Sequence, residues 1–270
     1  MMTGGIEIIS PLLRAYPGST WRDDVQALWN FLHQTYIISG SANCSTHVHV
    51  SRAEDFTLSD LKRISQAVIH FEPAFEVLVP QERRANEYAR SNWLDNPRFA
   101  YKNLSRDQSI DLLEGLTTTD QVLDAMNPNQ SKCFGWNFLS IKRYKTIEFR
   151  RGSVSLSADD TFMWVELAIS FIKAALTPHS PAQLRQYPRT IGGLRTFIQH
   201  AQLSMKSGMH DQSYLDRLFD GKSLNARLDR IPVGNLSPEK QEKLQKKIKA
   251  DSTRNPVLDM ISSAQQYGAV

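Results

Sequence analysis

Polar and apolar residues alternate through Ser45-Thr46-His47-Val48-His49-Val50-Ser51. This is the period of a strand buried on one side. It sets His47 and His49 on one face and Val48 and Val50 on the other. The alternation returns in Lys145-Thr146-Ile147-Glu148-Phe149-Arg150-Arg151, with Glu148 and Arg150 sharing one face and Ile147 and Phe149 the other. If the two strands lie in one sheet, a histidine pair, a carboxylate and a guanidinium meet on a single polar wall. Residues 133–141 also alternate and are rich in aromatics. With the basic turn 142–145 they predict a hairpin whose return strand is 146–150. Asn137 lies on one hairpin face with Cys133, Gly135 and Leu139. Residues 5–11 predict a short strand closed by Pro11. Glu7 either faces a polar site or lies on an exposed edge.

Helical periods fill the intervals. Trp21, Val25, Leu28, Trp29 and Leu32 recur at helical spacing over 21–36, with Asp23 and Asp24 in the first turn, where carboxylates suit the helix dipole. Thr57 to Asp60 reads as a capping box that opens a helix along Leu61, Ile64, Ala67, Val68 and Phe71, which Pro73 should kink or restart. Its apolar stripe is core, so His70 and Glu72 gain no catalytic role by spacing. Two short helical pieces within 112–126 are parted by Gly115 and the threonines 117–119. Ser157 to Asp160 opens a helix through Leu176 that is apolar nearly all round, with Glu166 a surface or capped carboxylate. Residues 194–203 and 214–219 are further helices. The charged run 237–250 reads as a surface helix or a mobile tail.

Residues 81–106 are different. Arg83, Arg84, Arg90, Arg98 and Arg106 alternate with Tyr88, Trp93, Phe99 and Tyr101, and few apolar periods survive. The stretch reads as a long excursion over the surface, either a grip for phosphates and a purine ring or a solvated loop.

Composition changes this picture little. A hydrophobic fraction of 41% and a charged fraction of 22% in 270 residues are those of an ordinary globular chain with a sizeable core. The net charge of +4 suits an anionic small molecule and is too weak to point to nucleic acid. Two cysteines, Cys44 and Cys133, make no disulfide framework and fit a reduced, cytoplasmic compartment. No apolar run approaches a membrane span. The His-x-His pair can also ligate zinc together with Cys44 or Glu148, though no further ligand set stands out.

Four pieces occur in order: residues 5–11, Thr46-His47-Val48-His49-Val50, Phe71-Glu72-Pro73 and Thr146-Ile147-Glu148-Phe149-Arg150. This succession resembles the amidoligase family of fungi and bacteria, within the carboxylate–amine ligase superfamily that includes glutamine synthetase and γ-glutamylcysteine synthetase. The resemblance covers about residues 4 to 200 by the ordinary limits of pattern reading. It implies an α+β fold, an antiparallel sheet with a polar active face and helices on the other side. Residues 1–200 would form that domain and 201–270 a helical extension. It implies ATP and Mg²⁺ as cofactors and a reaction in which ATP phosphorylates a carboxylate and an amine attacks the acyl phosphate. The partners would be a small carboxylate and a small amine, with no nucleic acid and no membrane. On this reading His47, His49, Glu148 and Arg150 are catalytic, and Glu7, His49 and Glu148 hold the metal. Arg83, Arg84, Arg151 and Asn137 contact the nucleotide. Glu148 and Arg150 also read as a structural ion pair.

The family's members begin with a Glu-x-Glu strand ahead of the stretch matching Glu7, and this chain starts too late to contain it. Three expectations follow: a truncated gene product, metal ligands drawn from elsewhere, or a scaffold turned to ATP-independent chemistry or binding. The sheet edge left by that strand invites pairing with a second copy.

Overall fold

The computed structural model describes residues 7–16, 18–204, 212–229, 233–234, 237–239 and 242. Along the chain lie α1 (Trp21–Thr35), β1 (Ser45–Val50), α2 (Leu58–Leu78), α3 (Pro97–Ala100), α4 (Arg106–Glu114) and α5 (Thr119–Met126). They are followed by β2 (Trp136–Asn137), α6 (Ser140–Tyr144), β3 (Ile147–Ser153), α7 (Ala158–Leu176), α8 (Pro181–Leu184), α9 (Ile191–Ser204) and α10 (Gln212–Phe219). The fold is α+β: helices surround one small antiparallel sheet of order β1-β3-β2. Among the described residues no helix is long and apolar enough to cross a membrane.

The sheet has two unlike faces because its strands alternate. Val48, Phe149 and Trp136 stand opposite one another across the three strands and form an apolar row. Phe75 of α2 and Phe171 of α7 meet Trp136 with ring centroids 5.8 and 5.1 Å away, and Trp164 of α7 lies 6.0 Å from Phe149. These are ordinary packing distances for aromatic pairs. Helices α2 and α7 therefore back the sheet, as the hydrophobic pattern requires.

α2 is the central strut. Thr57 and Asp60 close its start with the expected capping box. The helix then runs through Pro73 without a restart. Proline has no N–H for the carbonyl four residues earlier, which strands the Ile69 oxygen. Arg106 of α4 supplies the missing donor, its Nη1 lying 2.9 Å from Ile69 O. The guanidinium stacks on Trp93, 4.0 Å from the ring centroid, and stands 3.6 Å from the buried Glu72 carboxylate. Pro73 O accepts in turn from Leu228 N at 3.1 Å. His70, on the same helix, donates from Nε2 to Tyr187 O at 2.9 Å, and its Nδ1 faces Arg189 Nε at 3.5 Å. That arrangement requires a neutral ring, and burial lowers its pKa from 6.5 to about 4.

Several expectations need correction. Residues 7–11 carry no regular structure, and Ile8 and Ile9 are about half exposed, so no core face holds them as a strand. Gly5 and Ile6 lie outside the described residues, as does most of 237–250. The strand expected over 133–141 is only Trp136–Asn137, and the expected turn is the helix α6. The hairpin pairing itself is as read, with Trp136 opposite Phe149 and Asn137 opposite Glu148. Residues 81–106 do not cross the surface: Arg83, Ser91, Asn92, Asn96, Phe99 and Arg106 are buried. Polar side chains there replace regular structure. Asn92 donates to Met126 O and Trp136 O and accepts from Trp136 N, while Asn96 donates to Asn92 O and Ala125 O. Buried asparagines that satisfy backbone groups look, in sequence, like a solvated loop. Glu166 is buried and paired with Arg22 of α1.

Two outcomes are expected. Arg106→Ala should lower the unfolding free energy by about 3 kcal/mol, because it leaves Glu72 buried without its cation and Ile69 O without a donor. Chemical denaturation of the two proteins measures this. Stability should also fall as pH drops from 6.5 to 4.5. In that window the unfolded chain binds protons that the folded state's depressed histidines, His70 among them, refuse. His70→Gln should flatten part of that slope in urea titrations at the two pH values.

Candidate active site at the polar face of the sheet

The polar face is organised by one cross-strand row. His49 of β1 stands opposite Glu148 of β3, and Asn137 of β2 stands opposite Glu148 on the other side. Both neighbours of Glu148 are thereby fixed by backbone pairing. Asn137 Nδ2 donates to Glu148 Oε2 at 2.7 Å and contacts Ser140 Oγ at 3.0 Å, and its Oδ1 accepts from Leu139 N at 3.0 Å. The start of α6 thus locks the amide, and the amide locks the carboxylate.

The next row is irregular. Thr46 pairs with Gly152 and Val48 with Phe149, so two steps along β1 match three along β3. Arg150 and Arg151 together oppose His47, a bulge, and strand alternation sends the two arginines to opposite faces. Arg150 stays on the polar wall, its Nη1 2.5 Å from Glu148 Oε1 and its Nε 3.3 Å from Tyr88 O. Arg151 leaves for the helix side and pairs with Glu76 of α2. Gly152 follows the bulge because a Cβ there would lie 2.6 Å from Thr46 O.

Both histidines reach the same acid oxygen. His47 Nδ1 is 3.4 Å and His49 Nε2 3.6 Å from Glu148 Oε1. Their other nitrogens are held by hydroxyls, His47 Nε2 by Ser45 Oγ at 2.9 Å and His49 Nδ1 by Thr146 Oγ1 at 3.0 Å. Ser45 is two residues before His47 on the same strand face, a spacing visible in the sequence. Thr146 is not signalled that way. Tyr144 adds an edge-to-face ring 6.3 Å from His49.

Charge follows from this geometry. Burial pushes the Glu148 carboxyl up, but Arg150, His49, His47 and the Asn137 amide together outweigh it and hold the pKa at about 2. For His47, loss of water and then the Arg150 charge lower the pKa from 6.5 to about 3, against the opposing pull of Glu148. The ring is neutral at physiological pH while 32% of its side-chain surface stays accessible. A second guanidinium completes the site. Arg83, 6% exposed, donates from Nη1 to Ala42 O at 3.0 Å and lies within electrostatic range of His47 and Arg150. Cys44 sits in the same turn, exposed, its N–H bonded to Ser41 O. Hydrogen bonds from Ser41 and the Arg83 charge lower its thiol pKa.

The structure therefore gathers His47, His49, Glu148 and Arg150 on one wall and adds Arg83. Asn137 orients Glu148 from within the wall. Arg84 points elsewhere, its Nε 3.3 Å from Val79 O at the end of α2. Glu7 is exposed in a segment without regular structure. Among the described residues no group of three or more His, Cys, Asp or Glu side chains is placed to hold a metal ion. The chemistry of the donors agrees. Mg²⁺ takes several hard oxygen ligands, whereas the wall offers two imidazoles and one carboxylate already bonded to Arg150 and Asn137. These residues do not fit Mg²⁺.

Comparison with known proteins adds one finding. The family model described as "Putative amidoligase enzyme" matches residues 2–172, a span that includes β1, α2, β3 and every residue of the wall. No curated protein and no solved structure gives a match. The match takes in well over half of the chain and the histidine, carboxylate and guanidinium set that the sheet assembles, so this protein belongs to the amidoligase family.

Proposed function

We propose that the protein is a carbon–nitrogen ligase that joins the carboxylate of one small molecule to the amine of another, with ATP activating the carboxylate as an acyl phosphate. The observation that supports this reading is the convergence of His47, His49 and Arg150 on Glu148 at an accessible polar wall, in a chain of the amidoligase family.

In the first step a substrate carboxylate oxygen attacks the γ-phosphorus of ATP and ADP departs. Arg150 is placed to face the charge on the transferring group, since a guanidinium matches phosphate oxygens in pairs. In the second step the amine nitrogen attacks the acyl carbon, inorganic phosphate leaves, and the nitrogen gives up a proton. His47 is the group available to take it, being neutral before substrate arrives. An acyl phosphate beside the ring adds negative charge, which moves the imidazole pKa back toward neutrality, where a general base works best. His49 and Glu148 hold the geometry: Glu148 fixes Arg150 and both rings face its oxygen. No step is assigned to Mg²⁺, because the described side chains offer it no shell. The single carboxylate also favours a second reading, ATP-independent chemistry or binding on the same scaffold.

Purified protein supplied with ATP, magnesium and pools of small acids and amines should release ADP and form an amide detectable by mass spectrometry. His47→Ala should lower that rate about 100-fold or more while retaining the melting temperature, whereas Arg150→Gln should lower the rate as far and also lower the melting temperature, because it leaves Glu148 buried without its cation. Calorimetry that detects no nucleotide binding, together with no ADP, would remove the ligase reading and leave the ATP-independent one.

A further inference from the structure

The wall that was expected to hold a cation carries more buried positive than negative charge. Its buried charges are two guanidiniums, Arg83 and Arg150, against one carboxylate, Glu148, with the exposed Glu82 carboxylate beside Arg83. Arg151 does not enter this balance, because Glu76 neutralises it on the other side of the sheet. Glu148 already accepts from Arg150 and Asn137. Arg83 is more than nine-tenths buried, and its Nε has no hydrogen-bond partner although the Nη1 of the same group is satisfied by Ala42 O. A buried guanidinium N–H without an acceptor is costly unless a ligand supplies the acceptor. Two arginines kept within electrostatic range of one another are costly for the same reason.

We infer that Arg83 and Arg150 form the two sides of an oxyanion site that takes a carboxylate or phosphate group directly, without a bridging divalent cation. The inference rests on the same wall as the ligase reading but not on ligase chemistry. Arg83 offers its free Nε–H, and Arg150 offers the donors that Glu148 and Tyr88 do not use. Ala42 O and Tyr88 O anchor the two guanidiniums from different parts of the chain, so each is held in place before an anion arrives. Glu148 then competes with the ligand for Arg150 rather than helping to bind it.

That competition gives a test with opposite signs. Isothermal titration of the full chain with inorganic phosphate, and separately with acetate, is carried out in EDTA and again with magnesium. Binding of phosphate, acetate or both should persist unchanged in EDTA, and the arm that responds identifies the group. Arg83→Gln should weaken that binding about ten-fold or more, whereas Arg84→Gln should not alter it. Arg83→Lys should recover part of the loss, which a merely misfolded variant would not do. Glu148→Gln should tighten the anion several-fold, since it removes the rival charge while Asn137 and the strand pairing remain. A metal-bridged site predicts weaker binding in that variant. The inference is overturned if binding requires magnesium, if neither anion binds, if Arg83→Gln binds like the parent, or if Glu148→Gln weakens the anion. Anion binding without ADP formation would remove the ligase reading alone, and ADP formation by a chain in which Arg83→Gln is silent would remove this one alone.

Discussion

A carboxylate buried in a protein is tolerable only when donors meet both of its oxygens, and Glu148 is the case on which this site depends. Arg150 and Asn137 bond it directly, and the two imidazoles face the oxygen that Arg150 holds. Each partner is positioned for a reason independent of the charge. His49 and Asn137 come from strand pairing, Arg150 from the same strand two residues on, and His47 from the bulge. The order also runs the other way. Without the Glu148 charge, Arg150 would stand buried without that carboxylate, within electrostatic range of Arg83.

The opposite face of the sheet makes this arrangement possible. Val48, Phe149 and Trp136 lie against Phe75, Trp164 and Phe171, so the strands cannot slip by one residue without burying His47, His49 and Glu148 among aromatic rings. α2, which supplies Phe75, carries its own polar repair. Arg106 satisfies the carbonyl that Pro73 strands, and Glu76 takes the arginine that faces the helix side. The site thus rests on the core on one side and is accessible at its imidazole rim.

Family membership and local chemistry give complementary information. The amidoligase family indicates a reaction that ends in an amide. The wall sets Arg150 and a neutral imidazole around one buried carboxylate, with Arg83 within electrostatic range. Arg83 joins these two lines, because it belongs to the polar stretch after α2 and reaches back to the turn that leads into the histidine strand.

The period-two alternation in 45–51 and 145–151 was enough, by itself, to put His47 with His49 on one strand face and Glu148 with Arg150 on another, and the pairing of β1 with β3 then joined the two faces into one wall. Helical spacing likewise determined α1, α2 and α7, and capping residues fixed where α2 begins. Which of five arginines in 81–106 joins the wall was not legible, since Arg83 and Arg84 are neighbours with the same chemistry and only the docking of 81–83 on the turn at Ala42 separates them. Nor was the burial of that stretch legible, because Asn92 and Asn96 look the same whether they bond water or backbone. Strand period also puts Arg151 on the face opposite Arg150. Its partner Glu76, and the engagement of Glu148 by Asn137 as well as Arg150, were decided by tertiary structure, because side-chain pairing depends on residues that chain order keeps apart.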